Sequence, residues 1–195
     1  MSKQWAVCLA VILAACGGQK TEPARQPEQT NVIQEQPKQA VNLCPQSMGV
    51  TAEKLLLNMD SGLKATNAPV GILNKNVVQN ECGYQVTMET EFGAVFIQLN
   101  PKQDVLSVSA GYENKSDLAK NARNMFAVIQ TVISTEGRAK LGETEVGNAL
   151  FEAITDTMLV AKESGAASKD IEYGGNRYTV NVEGSAVAVV ARKQF

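Results

Sequence analysis

Three carboxylate pairs come nearest to catalytic spacing in this 195-residue chain. Glu89 and Glu91 stand two apart, at the end of an expected strand. Glu143 and Glu145 stand at the start of an expected helix, where negative charge is favoured in any case. Glu152 and Asp156 are four apart, a spacing that puts two side chains on one helix face. Two converging carboxylates, or a carboxylate with a lysine or tyrosine, could do acid–base work in a cleft. Each pair has a plainer account as solvated charge. Histidine is absent, which removes histidine triads, histidine bases and histidine metal ligands together. No G-x-S-x-G elbow, P-loop, EF-hand loop or S-x-x-K motif occurs. Gly17-Gly18-Gln19-Lys20 lacks the loop-to-helix setting of a phosphate cradle, and Asn114-Lys115-Ser116 reads as a turn with a helix cap rather than a glycan acceptor. The expectation is a protein that is not an enzyme, with no catalytic residue, no metal and no cofactor. Cys8, Cys16, Cys44 and Cys82 are the remaining groups with chemistry of their own.

The first of these cysteines lie in a segment with its own pattern. Lys3 supplies a positive start, and Trp5 to Ala15 is an unbroken apolar run of eleven residues. That suits the core of a signal peptide and falls short of the roughly 20 apolar residues a bilayer span needs. The run closes on Leu13-Ala14-Ala15-Cys16. This sequence resembles the lipobox of bacterial lipoproteins. The resemblance covers roughly the first 17 residues and implies cleavage between Ala15 and Cys16, a diacylglyceryl group on the Cys16 sulfur, and further acylation of palmitate type at the new amino terminus. The alternative is a secreted chain cut near Ala15. Each buried methylene contributes about 0.8 kcal/mol, and one chain alone anchors only marginally, so two or three chains would hold the protein on the membrane. Gly17 stands where an aspartate would favour retention on the inner membrane, so the resemblance implies a cell-envelope protein on the outer membrane, with its domain in the periplasm or at the surface.

That assignment places the thiols. Cys8 leaves with residues 1–15 and Cys16 carries lipid, so Cys44 and Cys82 remain as a pair in an oxidising compartment. A disulfide between them is the expectation, with two buried thiols as the alternative. No free thiol then remains as a nucleophile.

Removing residues 1–15 leaves 180 residues and turns the net charge from −2 to −3, because Lys3 goes with them. No basic stripe interleaves with aromatics, so no nucleic-acid partner is expected. Residues 16–40 are rich in Gln, Pro, Glu and Lys, with Val32-Ile33 the only apolar pair. Such a stretch buries too little to offset its ordering entropy and reads as a disordered tether. From Cys16 to Cys44 a coil would span about 30 Å root-mean-square and about 90 Å at full stretch.

Residues 41–195 have the size of one domain. A helix is expected from Thr51, with Leu55, Leu56, Met59 and Leu63 at helical spacing and Gly62 loosening its end. Residues 66–82 read as irregular. Three strands follow by period-two alternation: Tyr84-Val86-Met88, Val95-Ile97-Leu99 and Leu106-Val108-Ala110-Tyr112. Ser116 and Thr144 are expected to cap two amphipathic helices. A second trio covers Lys169 to Tyr173, Arg177 to Glu183 and the doubly apolar Ala186 to Ala191, with Gly174-Gly175 as a hairpin turn. The order α-βββ-αα-βββ predicts an α+β fold, a largely antiparallel sheet of about six strands with helices packed on one face. One sheet or two, and a duplication or not, both stay open. Phe96, Phe126 and Phe151 are expected in the core, and Tyr112, Tyr173 and Tyr178 near strand ends as a contact surface. With anchor and tether, the expected function is that of a lipid-anchored module that binds an envelope protein, as an accessory or inhibitor. The alternative is a carrier of a small apolar ligand or lipid in the periplasm.

Overall fold

A computed structural model describes residues 44–68, 71–137 and 142–194. The expected signal segment, Cys16, the tether, Pro69 and Phe195 lie outside the described residues. The fold is α+β. It runs α1 (Ala52–Ala65), β1 (Ile72–Asn80), β2 (Gly83–Thr90), β3 (Ala94–Leu99), β4 (Val105–Glu113), α2 (Leu118–Ile133), α3 (Glu145–Ser164), β5 (Ala166–Tyr173), β6 (Asn176–Glu183) and β7 (Ala186–Lys193). The strands form one antiparallel sheet in the order β1-β2-β3-β4-β7-β6-β5. Two meanders therefore meet at the β4–β7 pair, and the doubly apolar β7 lies inside the sheet, as its composition predicts.

Alternation builds one buried face. Met88, Val95, Ala110, Val189 and Val180 are cross-strand partners in a single row from β2 to β6. All five are buried. Val86, Ile97, Val108, Ala191 and Tyr178 form the next row. The helices cover this side: α2 lies over β4 and β7, α3 lies over β5 and β6, and α1 packs against α2. The other side carries Thr87, Phe96, Ser109, Val190 and Thr179 in one row. Phe96 thus sits half-buried on the uncovered face rather than in the core.

Two expectations fail here. Within 66–82 there is a nine-residue strand, β1, exposed along its whole length. It escapes the period-two test because no helix covers it, so neither of its faces is selected to be apolar. It forms because Glu81-Cys82 turns the chain into a hairpin with β2, paired from Asn80↔Gly83 to Ile72↔Thr90 with a bulge between Ile72 and Asn74. Gly62 does not loosen the end of α1. It lets α1 approach α2, because a Cβ there would sit 2.2 Å from the Nε2 atom of the fully buried Gln130.

Capping follows ordinary chemistry. Thr51 and Thr144 accept from the backbone N–H groups of Lys54 and Gly147. At α2 the cap is Asp117, which accepts from Lys120 N at 3.0 Å, one residue beyond the expected Ser116. Carboxylate and helix dipole both favour Asp over Ser there.

Candidate functional site

None of the carboxylate pairs is drawn into the core. Glu89, Glu91, Glu143, Glu145, Glu152 and Asp156 are all exposed. Asp156 is taken up by Lys169 at 2.8 Å, an ion pair joining α3 to β5. No group of three or more metal-ligating side chains occurs among the described residues. None of their helices is long and apolar enough to cross a membrane.

Cys44 and Cys82 lie at disulfide-bonding distance, with Sγ–Sγ 2.10 Å and Cα–Cα 5.4 Å. Cys82 sits in the β1–β2 turn rather than at the start of the first expected strand. The pair therefore joins the residues before α1 to the tip of a hairpin. Just beyond Cys44 the chain lies against β4: Met48 N donates to Val105 O and Val105 N donates to Val50 O, at 2.8 and 2.9 Å.

The tyrosines depart from the expected contact surface. Tyr112 and Tyr178 are buried on the helix side, and only Tyr173 is exposed. Their phase along the strands accounts for this: Tyr112 keeps step with Val108 and Ala110, and Tyr178 with Val180 and Val182. The Tyr178 hydroxyl and the Asn176 amide both donate to Glu136 Oε1, just beyond α2. Burial pushes the Tyr178 hydroxyl well above its usual range, and the hydrogen bond and charge of Glu136 add to the shift. This carboxylate–tyrosine pair has catalytic chemistry, but Tyr178 is fully buried and its hydroxyl is committed to Glu136. It braces the fold.

Among the described residues an opening lies elsewhere. A groove of about 480 Å³ lies between the first half of α2 and the second half of α3, at the end of the sheet formed by the β4 terminus and the β6–β7 turn. Leu118, Ala122 and Met125 line one wall, Met158, Leu159 and Lys162 the other, and Tyr112, Val182 and Val187 lie between. Two alanines, Ala122 and Ala161, and Gly184 leave space that larger side chains would fill. Leu118 and Leu159 stand at its lips, 82% and 63% exposed, an arrangement that costs free energy in water. Phe126 of α2 and Phe151 of α3 stack with centroids 6.0 Å apart and join the two helices. Phe151 is itself partly exposed, against the core position expected for it.

Polar groups in the groove are few. Asn121 is committed to the loop before α2, accepting from Lys115 N and donating to Lys115 O. The Thr155 hydroxyl donates to Phe151 O. The Tyr112 hydroxyl reaches only the Met158 sulfur, at 4.0 Å. Burial raises its pKa to about 12. The groove suits capture of an apolar group; its lining carries one ammonium, Lys162, and no carboxylate. Its parts come from five stretches of chain, and in sequence its apolar residues look like ordinary helix stripes. No family model, curated protein or solved structure matches this chain.

Proposed function

We propose that this is a lipid-anchored protein of the cell envelope that works by binding rather than catalysis, and that it binds through the α2–α3 groove. One observation carries the reading: two leucines, Leu118 and Leu159, stand exposed at the lips of an apolar groove of about 480 Å³. Ligand sites run from about 300 to 1,000 Å³ and are mostly apolar with a few polar groups. The groove therefore favours the small-ligand form of the reading, a tethered carrier, over an inhibitor acting through a broad flat surface. Leu13-Ala14-Ala15-Cys16 supports the anchor, and residues 16–40 supply the tether. The test is native mass spectrometry of the protein extracted from its own envelope. A co-purifying apolar small molecule, lost in Ala122→Phe, is the expected result. If the wild-type protein carries nothing and Ala122→Phe changes no interaction, the groove reading fails. Anchoring is tested separately: Cys16→Ser should abolish acyl labelling and release the protein from the membrane fraction.

A second reading has its own observation. Ile72, Leu73, Val77 and Val78 are all more than half exposed on the edge strand β1. The opposite edge, β5, is guarded by Lys169, Asp170 and Glu172. An open apolar edge is a template for a further strand, so β1 could take an extended segment of a protein partner.

A further inference from the structure

We infer that the α2–α3 groove accepts a free fatty acid, its tail between the helices and its carboxylate at Lys162. The inference rests on the groove reading above and names its ligand.

Charge selects the head group. Lys162 is the only charged side chain among the residues lining the groove. It lies exposed in the last turn of α3, and its ammonium has no acidic partner among the described residues. The nearby acids are otherwise directed. Asp117 caps α2, and Glu113 pairs with Lys115 at 3.2 Å. Glu183 follows Val182 in β6 and so points to the uncovered side of the sheet. An apolar trough with one uncommitted cation at its rim complements an amphiphile with a single anionic head.

The size of the groove suits the tail. At about 480 Å³ it falls in the range of small-ligand sites, and it is lined mostly by apolar side chains, as a single acyl chain requires. Met125 and Met158, which both line it, are unbranched and can adjust to a flexible chain.

The test is photo-crosslinking of the full protein in its native membrane. Two diazirine probes of equal chain length are compared, a fatty acid and the matching fatty alcohol, with labelled peptides mapped by mass spectrometry. The expected result is fatty-acid labelling within 118–125 and 155–162. Ala122→Phe should remove labelling by both probes while leaving the melting temperature close to wild type. Lys162→Gln should weaken fatty-acid labelling by about fivefold, the range of a rim ion pair, and leave alcohol labelling unchanged. Lys162→Arg should restore it, which a purely structural effect on α3 would not require. Equal labelling by acid and alcohol, unaffected by Lys162→Gln, overturns the head-group assignment and leaves the apolar groove standing. Absence of groove labelling by either probe overturns both. Shielding of the groove by another protein overturns the fatty acid in favour of a protein occupant.

Discussion

Glu136 holds the end of α2 to the start of β6 through two donors, Tyr178 and Asn176. This gives the fold a titration behaviour that can be measured. An unfolded tyrosine ionises near 10.0, whereas burial raises Tyr112 to about 12 and Tyr178 further still, with Glu136 adding to the latter. The unfolded chain therefore releases these protons first as pH rises. Stability contributed by the two protonated hydroxyls is complete below pH 10 and falls through the window from about 10 to 12 and above. Denaturant melts at pH 8, 10 and 11.5 should show a progressive loss, less steep in Tyr112→Phe. If both slopes match, Tyr112 is not the group responsible. Tyr178→Phe should behave differently at neutral pH, costing about 1.5–3 kcal/mol because a hydrogen bond to a carboxylate is lost. A second residue-scale prediction concerns Gly62. An added Cβ would overlap the Cγ, Cδ and Nε2 atoms of Gln130, which is fully buried. Overpacking of this kind costs about 1–3 kcal/mol, and the better helix propensity of alanine returns up to about 1. Gly62→Ala should therefore destabilise in urea melts, whereas an exposed helical glycine would be stabilised by the same change.

The elements explain what was readable. β2, β3, β4 and β6 are legible because one face of each is buried and the other is not, so apolar and polar residues alternate, and β7 is legible because its unbroken apolar run marks a strand inside the sheet. The three helices are legible from their stripes and their Thr51 and Thr144 caps. The α+β class and helix placement follow from those signals. β1 is illegible for the converse reason: no described element covers it, so Ile72-Leu73-Asn74-Lys75-Asn76-Val77-Val78 shows no period. The groove is illegible too, since a stripe such as Leu118-Ala122-Met125 does not say whether its neighbour helix closes on it. The β1 edge makes a prediction at this scale. Val78 pairs with Gln85 on the uncovered side of the sheet and is 54% exposed, so a lysine there reaches water freely. Val78→Lys should change folding stability by less than about 0.5 kcal/mol. A charge on an open edge opposes further strand pairing, so the variant should lose any crosslinked partner that the wild type captures through β1. Retention of that partner would remove β1 as its site.

At the scale of the whole molecule, the chain before α1 and the groove lie at opposite ends of the sheet. Cys82 stands at the β1–β2 tip, near the end where Tyr84 pairs with Leu99, while Tyr112, Val187 and Val182 pair in the row toward the other end. The Cys44–Cys82 link also closes a 38-residue separation that contains both α1 and β1. Closing a loop of this length contributes about 4 kcal/mol on the chain-entropy account, often less in practice. The cost of removing it should not be spread evenly. β1 is exposed throughout and has only β2 as a strand neighbour, whereas β4 and β7 are flanked on both sides and covered by α2. Cys82→Ser should therefore lower the unfolding free energy by up to about 4 kcal/mol. Hydrogen exchange should show β1 opening below the global transition while β4 and β7 open only with it. Because the groove is built from β4, β6, β7, α2 and α3, its capture of an apolar ligand should survive the substitution wherever the protein remains folded. Loss of ligand capture with β4 and β7 still protected would mean that α1 and β1 shape the groove from a distance.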